Sequence, residues 1–337
     1  MKAKIISGNA PGGARTPLAE VLPLKTPFVV QIFPIYACNF TCEYCFMSVP
    51  RNERGFVSDW PVMKLDLYKK CIDEFLQMPD QLKVLRFVGM GEPLLHKSIA
   101  EMISYAVEKK VAQRVELLTN ASLLTPQLSN ALIEAGLSRL VISLQGLSSE
   151  KYHQISHIDI DYGKFVDNIR YFYEHKKDTH VYIKIVDYAL NETENKEKFY
   201  EIFSNICDTI AVENAVPIMP GVDYEKVLID ANGSSTQFGL PVSEIQVCPQ
   251  AFFTMQINPD GKVVPCYQIA YPGIMGDLNN QTVGQVWNGQ VYNEFRKTML
   301  SGRHLNKVCS ECNFIRYRLF PEDDLQNHVA RLKDLYR

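Results

Sequence analysis

The chain has no run of about twenty apolar residues, the length a helix needs to cross a bilayer. Its most apolar early stretch, 21–37, is broken by Lys25 and three prolines. No membrane partner is therefore expected. The first sixteen residues lack the apolar centre of a signal peptide, so a cytoplasmic protein is expected. Charge of one sign is lacking too. A net charge of −3 over 337 residues offers no electrostatic reason for a nucleic-acid partner. With no secretion signal, the nine cysteines are expected as metal or redox ligands rather than disulfides. The hydrophobic content of 46% suffices for a core, and the length fits two domains or one large one.

What the chain does have begins at Cys38-Asn-Phe-Thr-Cys42-Glu-Tyr-Cys45, directly after an apolar run. Three thiolates on one short loop can hold three irons of a four-iron cluster. No fourth cysteine lies nearby, so one iron is left to a non-protein ligand. A closed zinc site would need a fourth protein ligand, and the next cysteine, Cys71, belongs to a helical pattern. A second motif, Arg86-Phe-Val-Gly-Met-Gly-Glu-Pro-Leu-Leu95, is an apolar strand ending in glycines and an acid. The glycines allow close backbone approach to a ligand, and Glu92 can accept hydrogen bonds from an ammonium group.

Residues 1–27 read as an extended lead-in. Strand and helix patterns then alternate. Strands are expected at Phe28–Tyr36, Val84–Val88, Val115–Thr119, Leu140–Leu144, Val181–Tyr188 and Ile210–Val216, with helical spacing between them. Six such units predict an α/β fold with a parallel sheet and right-handed crossovers. Ligand groups should cluster at the carboxyl ends of the strands. That rule nominates Asn120 after the third strand, and Ser143 and Gln145, which share a face at the end of the fourth. It also nominates Lys184 on the fifth strand, and Glu213 and Asn214 near the end of the sixth, which could face substrate. A polar strand end without a functional role is the alternative for each.

Together, Cys-x3-Cys-x2-Cys and Gly-x-Gly-Glu-Pro resemble the radical S-adenosylmethionine superfamily. The resemblance implies a partial (β/α)6 TIM-like barrel over residues 28–218, with S-adenosylmethionine chelating the open iron. Gly89, Gly91 and Glu92 would hold its methionyl amine, Tyr44 and Phe46 would flank its adenine, and Lys184 could meet its carboxylate. The family's Ser-Leu-x-Gly segment, here Ser143-Leu-Gln-Gly146, would contact it as well.

After Pro217 the alternation stops, and a second domain is expected over 219–337, ending in a helix at 323–336. It carries Cys248, Cys266, Cys309 and Cys312. Asn258 to Gly261 is a turn signal between two apolar strands, a hairpin that would bring Cys248 near Cys266. Four cysteines suit zinc and an iron–sulfur cluster equally by spacing. Cys-x12-Gly-x4-Cys, then Gly276-Asp-Leu, Val286-Trp287 and Cys-x2-Cys, resembles the SPASM or twitch extension. With no later cysteine, this implies the shorter, one-cluster twitch form. Cys71 and Cys207 fall on apolar helical faces and read as core. His153 and His157, four apart, lack the glutamate of a metalloprotease motif.

The resemblance implies two 4Fe-4S clusters, one catalytic and one auxiliary, and a flavodoxin- or ferredoxin-type reductant. A 5′-deoxyadenosyl radical would take a hydrogen atom from substrate, and the auxiliary cluster would accept an electron. Among twitch enzymes the architecture resembles 2-deoxy-scyllo-inosamine dehydrogenase, which implies oxidation of a small carbohydrate or cyclitol. Epimerisation of a sugar or peptide, maturation of a peptide or protein, and a non-enzymatic electron-transfer or zinc scaffold are the other readings.

Overall fold

A computed structural model describes residues 2–7, 15–54, 60–190, 193–228, 233–267 and 270–336. Its strands are β1 (Lys4–Ile5), β2 (Val29–Ile32), β3 (Leu82–Phe87), β4 (Ala112–Thr119), β5 (Arg139–Leu144), β6 (His180–Val186), β7 (Thr209–Glu213), β8 (Thr254–Ile257), β9 (Lys262–Val264) and β10 (Gly276–Asp277). Its helices are α1 (Leu18–Val21), α2 (Leu65–Phe75), α3 (Ile99–Glu108), α4 (Pro126–Glu134), α5 (Ser149–Ser156), α6 (Tyr162–His175), α7 (Thr193–Phe203), α8 (Gln250–Phe253), α9 (Val283–Trp287), α10 (Gln290–Ser301), α11 (Lys307–Ser310) and α12 (Val329–Leu335).

Strands β2 to β7 stand side by side in chain order, each parallel to the next. This is the parallel order that the alternating pattern predicts, in the partial barrel that the family resemblance implies. The sheet extends at both edges. The lead-in contributes β1, parallel to β7. On the other side β8 pairs in parallel with β2, and β9 and β10 follow antiparallel. Asn258 and Gly261 close the β8–β9 hairpin, Gly261 at φ +88°.

Local chemistry starts the helices where the sequence calls for it. Thr125 Oγ1 accepts from the Leu128 amide with Pro126 at the first turn, and Asp161 does the same for Lys164. The helices between the barrel strands each bury an apolar stripe. Tyr68, Cys71, Ile72 and Phe75 of α2 and Phe199, Phe203, Ile206 and Cys207 around α7 join one core with Val30, Leu85, Leu117 and Ile183. The inner face is different. Gln31, Arg86, Glu116 and Arg139 are paired in register from β2 to β5, so one level of the barrel wall is polar. A complete barrel fills its interior with branched aliphatic layers; this one keeps a cavity of about 900 Å³.

Several boundaries differ from expectation. The first strand ends at Ile32 rather than Tyr36, because Pro34 cannot donate to a ladder. The fifth ends at Val186 in a short turn, Asp187–Ala189. The expected terminal helix over 323–336 is broken: two 3₁₀ turns precede α12, which starts only at Val329. Helix α5 carries His153, while His157 leaves it at φ +54°, so the two do not share a helical face.

Candidate active site

Cys38, Cys42 and Cys45 lie on the loop after β2 and line the large cavity. Burial pushes the Cys38 thiol up to about 12 and also raises Cys42 and Cys45. The Phe40 amide reaches Cys38 Sγ at 3.4 Å, and Asn120 Nδ2 stands 3.9 Å from it. Cys42 Sγ lies 3.4 Å from Ser156 Oγ. The Gly-Met-Gly-Glu turn packs directly on this loop. The Glu92 amide donates to Ala37 O at 2.8 Å. A Cβ on Gly91 would stand 2.4 Å from Ile35 O, and one on Gly89 would meet the Phe33 ring at 2.9 Å. The close approach that both glycines permit is therefore to the chain itself.

Glu92 is buried and fully engaged. Its carboxylate accepts from Leu94 N at 2.9 Å, Thr119 Oγ1 at 2.6 Å and Asn120 N at 2.7 Å. Burial nevertheless outweighs these donors and raises its carboxyl to about 7. Asn120 also donates to Asn39 Oδ1 at 3.0 Å, tying the end of β4 to the cysteine loop.

Of the other residues nominated from sequence, Tyr44, Ser143, Gln145, Lys184, Glu213 and Asn214 all line this cavity. Phe46 does not: its ring is buried in an apolar cluster with Phe33, Tyr36, Met47, Val88 and Met90. Lys184 Nζ lies 2.7 Å from Glu213 Oε2, and Gln237 and Tyr182 donate to the same carboxylate at 2.7 and 3.0 Å. Burial would raise Glu213, but Lys184 and the other donors hold it below the usual carboxylate range. Asn214 gives its side-chain nitrogen to Thr236 O at 2.9 Å.

The second cysteine set is a different kind of place. Cys248, Cys266, Cys309 and Cys312 line one pocket of only about 20 Å³, walled by Pro272, Val308, Phe314 and Ile315. Arg303 Nη1 donates to the carbonyls of Cys309 and Cys312 at 2.8 and 2.7 Å, clamping the knuckle. Asn306 Oδ1 accepts from the amides of Val308 and Cys309 and so starts α11. None of the nine cysteines is bridged. Phe314 lines both spaces. Its ring stacks on Tyr267 with centroids 5.7 Å apart, and Tyr267 OH donates to Gly89 O at 3.2 Å.

A family model described as the radical SAM superfamily matches residues 32–226, more than half of the chain. The chain belongs to the radical S-adenosylmethionine superfamily. Residues 248–313 match SPASM, an iron–sulfur cluster-binding domain. Among curated relatives, the tungsten-containing aldehyde ferredoxin oxidoreductase cofactor-modifying protein of Pyrococcus furiosus is 23% identical, covering 82% of this chain and 84% of its own. GTP 3′,8-cyclase of Helicobacter pylori strain J99 is 28% identical over 73% and 82%. Among solved structures, BtrN in complex with AdoMet and 2-DOIA has TM-score 0.53 at 19% identity, covering 85% and 92%. SuiB of Streptococcus suis bound to S-adenosylmethionine has TM-score 0.61 at 16% identity, covering 93% and 79%. These likenesses show the shared fold.

This radical S-adenosylmethionine enzyme thus has S-adenosylmethionine and a 4Fe-4S cluster as cofactors, with further iron–sulfur binding in its SPASM domain. Its residues fit those groups. Both sites offer sulfur donors, and the Gln145 side-chain oxygen, in the cavity wall, has no hydrogen-bond partner among the described residues. Among the described residues no three His, Cys, Asp or Glu side chains converge as the ligands of a single ion would; a four-iron cube is wider and does not require it.

Sequence reasoning missed the inner wall of the barrel. Glu116 is held by Arg86 at 2.7 Å and Arg114 at 2.6 Å, with Arg139 at 3.5 Å. Burial raises its carboxyl, but the three guanidiniums outweigh that and hold it at about 2. The available signal was charge inside otherwise apolar strands, at Arg86, Glu116 and Arg139. Gln237 and Arg318 lie in irregular segments and carried no signal.

Proposed function

We propose that this enzyme oxidises a carbinol carbon of a small, hydroxyl-rich substrate, a carbohydrate or cyclitol, held in the barrel cavity. The observation that carries this reading is the pairing of a roomy cavity beside three cysteines with a tight, protein-closed pocket of four. The first set leaves a ligand position for the cofactor; the second leaves none, which suits electron acceptance. When bound, cluster and S-adenosylmethionine would supply hydrogen-atom abstraction by a 5′-deoxyadenosyl radical, and Cys248, Cys266, Cys309 and Cys312 would hold an acceptor for the remaining electron.

Cys38, Cys42 and Cys45 hold the catalytic cluster in this reading, and Cys248, Cys266, Cys309 and Cys312 the auxiliary one. Glu92, fixed by Thr119 and Asn120, presents negative charge to the methionyl amine. Tyr44 borders the adenine. Gln31, Gln145 and Gln237 line the cavity, and their buried side-chain oxygens have no hydrogen-bond partner among the described residues, which suits a substrate rich in hydroxyl donors. Lys184, oriented by Glu213, lies against the carbinol oxygen and stabilises it as its proton leaves to water. Phe314 and Tyr267 bridge the cavity and the second pocket. BtrN, crystallised with AdoMet and 2-DOIA, is the solved neighbour that prompts the substrate class.

The test is anaerobic turnover with a panel of polyols and a ferredoxin- or flavodoxin-type reductant. Ketone formed in step with 5′-deoxyadenosine supports the reading. Deuterium gained at carbon from deuterated water without oxidation means epimerisation instead. A strict requirement for a leader-bearing peptide, as the PqqA peptide cyclase relative would prompt, replaces it with peptide maturation.

A further inference from the structure

We propose that Arg318, with the terminal nitrogens of Arg86, forms an oxyanion subsite in the barrel cavity, so that the substrate is an anionic polyol such as a sugar phosphate or sugar acid. The inference rests on the reading of the cavity as the substrate site and narrows its substrate class.

Most cations along the cavity are already matched. Lys184 has its charge balanced by Glu213, which leaves its other N–H groups free for a neutral hydroxyl, while Arg114 pairs with Glu116 and Arg15 with Asp323. Arg318 is not. Among the described residues no carboxylate lies within ion-pair reach of its guanidinium, which sits instead 4.7 Å from the Phe314 ring centroid and 5.7 Å from that of Phe238. Glu213, on the same cavity, already accepts from Tyr182, Lys184 and Gln237. Arg86 uses only Nε for Glu116, at 2.7 Å, leaving two nitrogens without a hydrogen-bond partner among the described residues.

Arg86 and Arg318 line the same cavity, and contacts link them: Arg318 sits on Phe314, Phe314 stacks on Tyr267, and Tyr267 donates to Gly89 O, three residues after Arg86 on the same segment. Two like charges in a partly desolvated space repel. An anion between them relieves that repulsion, and a guanidinium fork matches the oxygens of phosphate or carboxylate. The Phe314 and Phe238 rings beside Arg318 attract its charge without consuming its donors. Gln31 and Gln237 line the same cavity with buried oxygens that have no partner among the described residues, and add acceptors for hydroxyl groups beside the anion.

The test uses the full chain, reconstituted without oxygen and saturated with S-adenosylmethionine, so that an anion cannot reach open iron. Inorganic phosphate, glycolate and neutral glycerol are titrated calorimetrically against wild type, Arg318→Gln and Arg318→Lys. Saturable binding of phosphate or glycolate but not glycerol is expected, and whichever binds tighter identifies the anion. Arg318→Gln should weaken that binding at least about tenfold, and Arg318→Lys, a point charge without the fork, by less. Should Arg318→Gln lose its cluster absorbance through misfolding, the Lys variant carries the comparison. The proposal is overturned if neither anion binds wild type, if both variants bind as wild type does, or if Arg318→Gln weakens S-adenosylmethionine instead. Formation of 5′-deoxyadenosine with product reports separately on the oxidation reading: anion binding without it leaves the subsite standing, and the reverse removes only the subsite.

Discussion

The two cysteine sites invite comparison because they use the same donor in opposite surroundings. The first opens on a cavity of about 900 Å³ whose wall carries charges and amide oxygens without a partner among the described residues. The second closes on about 20 Å³ among Pro272, Val308, Phe314 and Ile315, with Arg303 locking the knuckle carbonyls. Space beside sulfur permits substrate chemistry. Enclosure by apolar groups permits electron storage, with a potential set by burial and hydrogen bonds.

Removing one ligand from each site should break the comparison most sharply. Cys42→Ala and Cys309→Ala should each lower iron from about eight to about four per chain, as expected for loss of one of two cubanes. Only Cys42→Ala should abolish 5′-deoxyadenosine. Cys309→Ala should still form it while losing oxidised product. Equal loss in both variants would erase the distinction between a reacting and a storing site.

The next effect concerns what keeps the first site open. Glu116→Gln leaves three guanidiniums in the barrel wall without their shared carboxylate. It should cost about 3–5 kcal/mol in denaturant melts, the usual penalty for breaking a buried ion pair. The folded carboxyl is held at about 2 against 4.5 for an ordinary glutamate. Its contribution is therefore complete above 4.5, falls as pH drops from there towards 2, and should vanish in the variant. A variant as stable as wild type would mean the cavity wall does not need this pairing.

Glu92 gives the smallest and most specific effect. Its carboxyl is raised by burial to about 7, and a nearby ammonium favours the ionised form. Equilibrium dialysis should show S-adenosylmethionine binding tighten as pH rises through 7. Glu92→Gln should flatten that profile and weaken binding about tenfold. Stability has the opposite sign: the folded state holds the proton between 4.5 and about 7, so stability falls as pH rises across that window. A pH-independent affinity in wild type would remove Glu92 from the ammonium.

Much of this was readable from residue spacing. The core of each strand from β2 to β7 falls where apolar runs occur, and the helices between them follow periodicity of three and four. Both cysteine sets gather where their loops imply. Boundaries failed where a local pattern met a competing constraint, as at Pro34 and at the break before Val329. The lead-in strand β1 was invisible because two residues carry no period, and only the open edge of β7 makes them a strand. Lys184 looked available from sequence, yet Glu213 lies against it from the neighbouring strand.

The sequence by itself determined the superfamily chemistry, because three thiols on one loop and a Gly-Glu-Pro turn are local arrangements that need no distant partner. It also determined the parallel α/β order, which follows from hydrophobic period. Only the tertiary structure decided that the barrel interior is a charged cavity rather than a packed core. Whether Arg86 and Arg139 reach the single carboxylate of Glu116 depends on strand register, and whether Arg318 has a carboxylate partner depends on a loop more than two hundred residues from Arg86. Coulomb energies act through space, and spacing along the chain does not contain them.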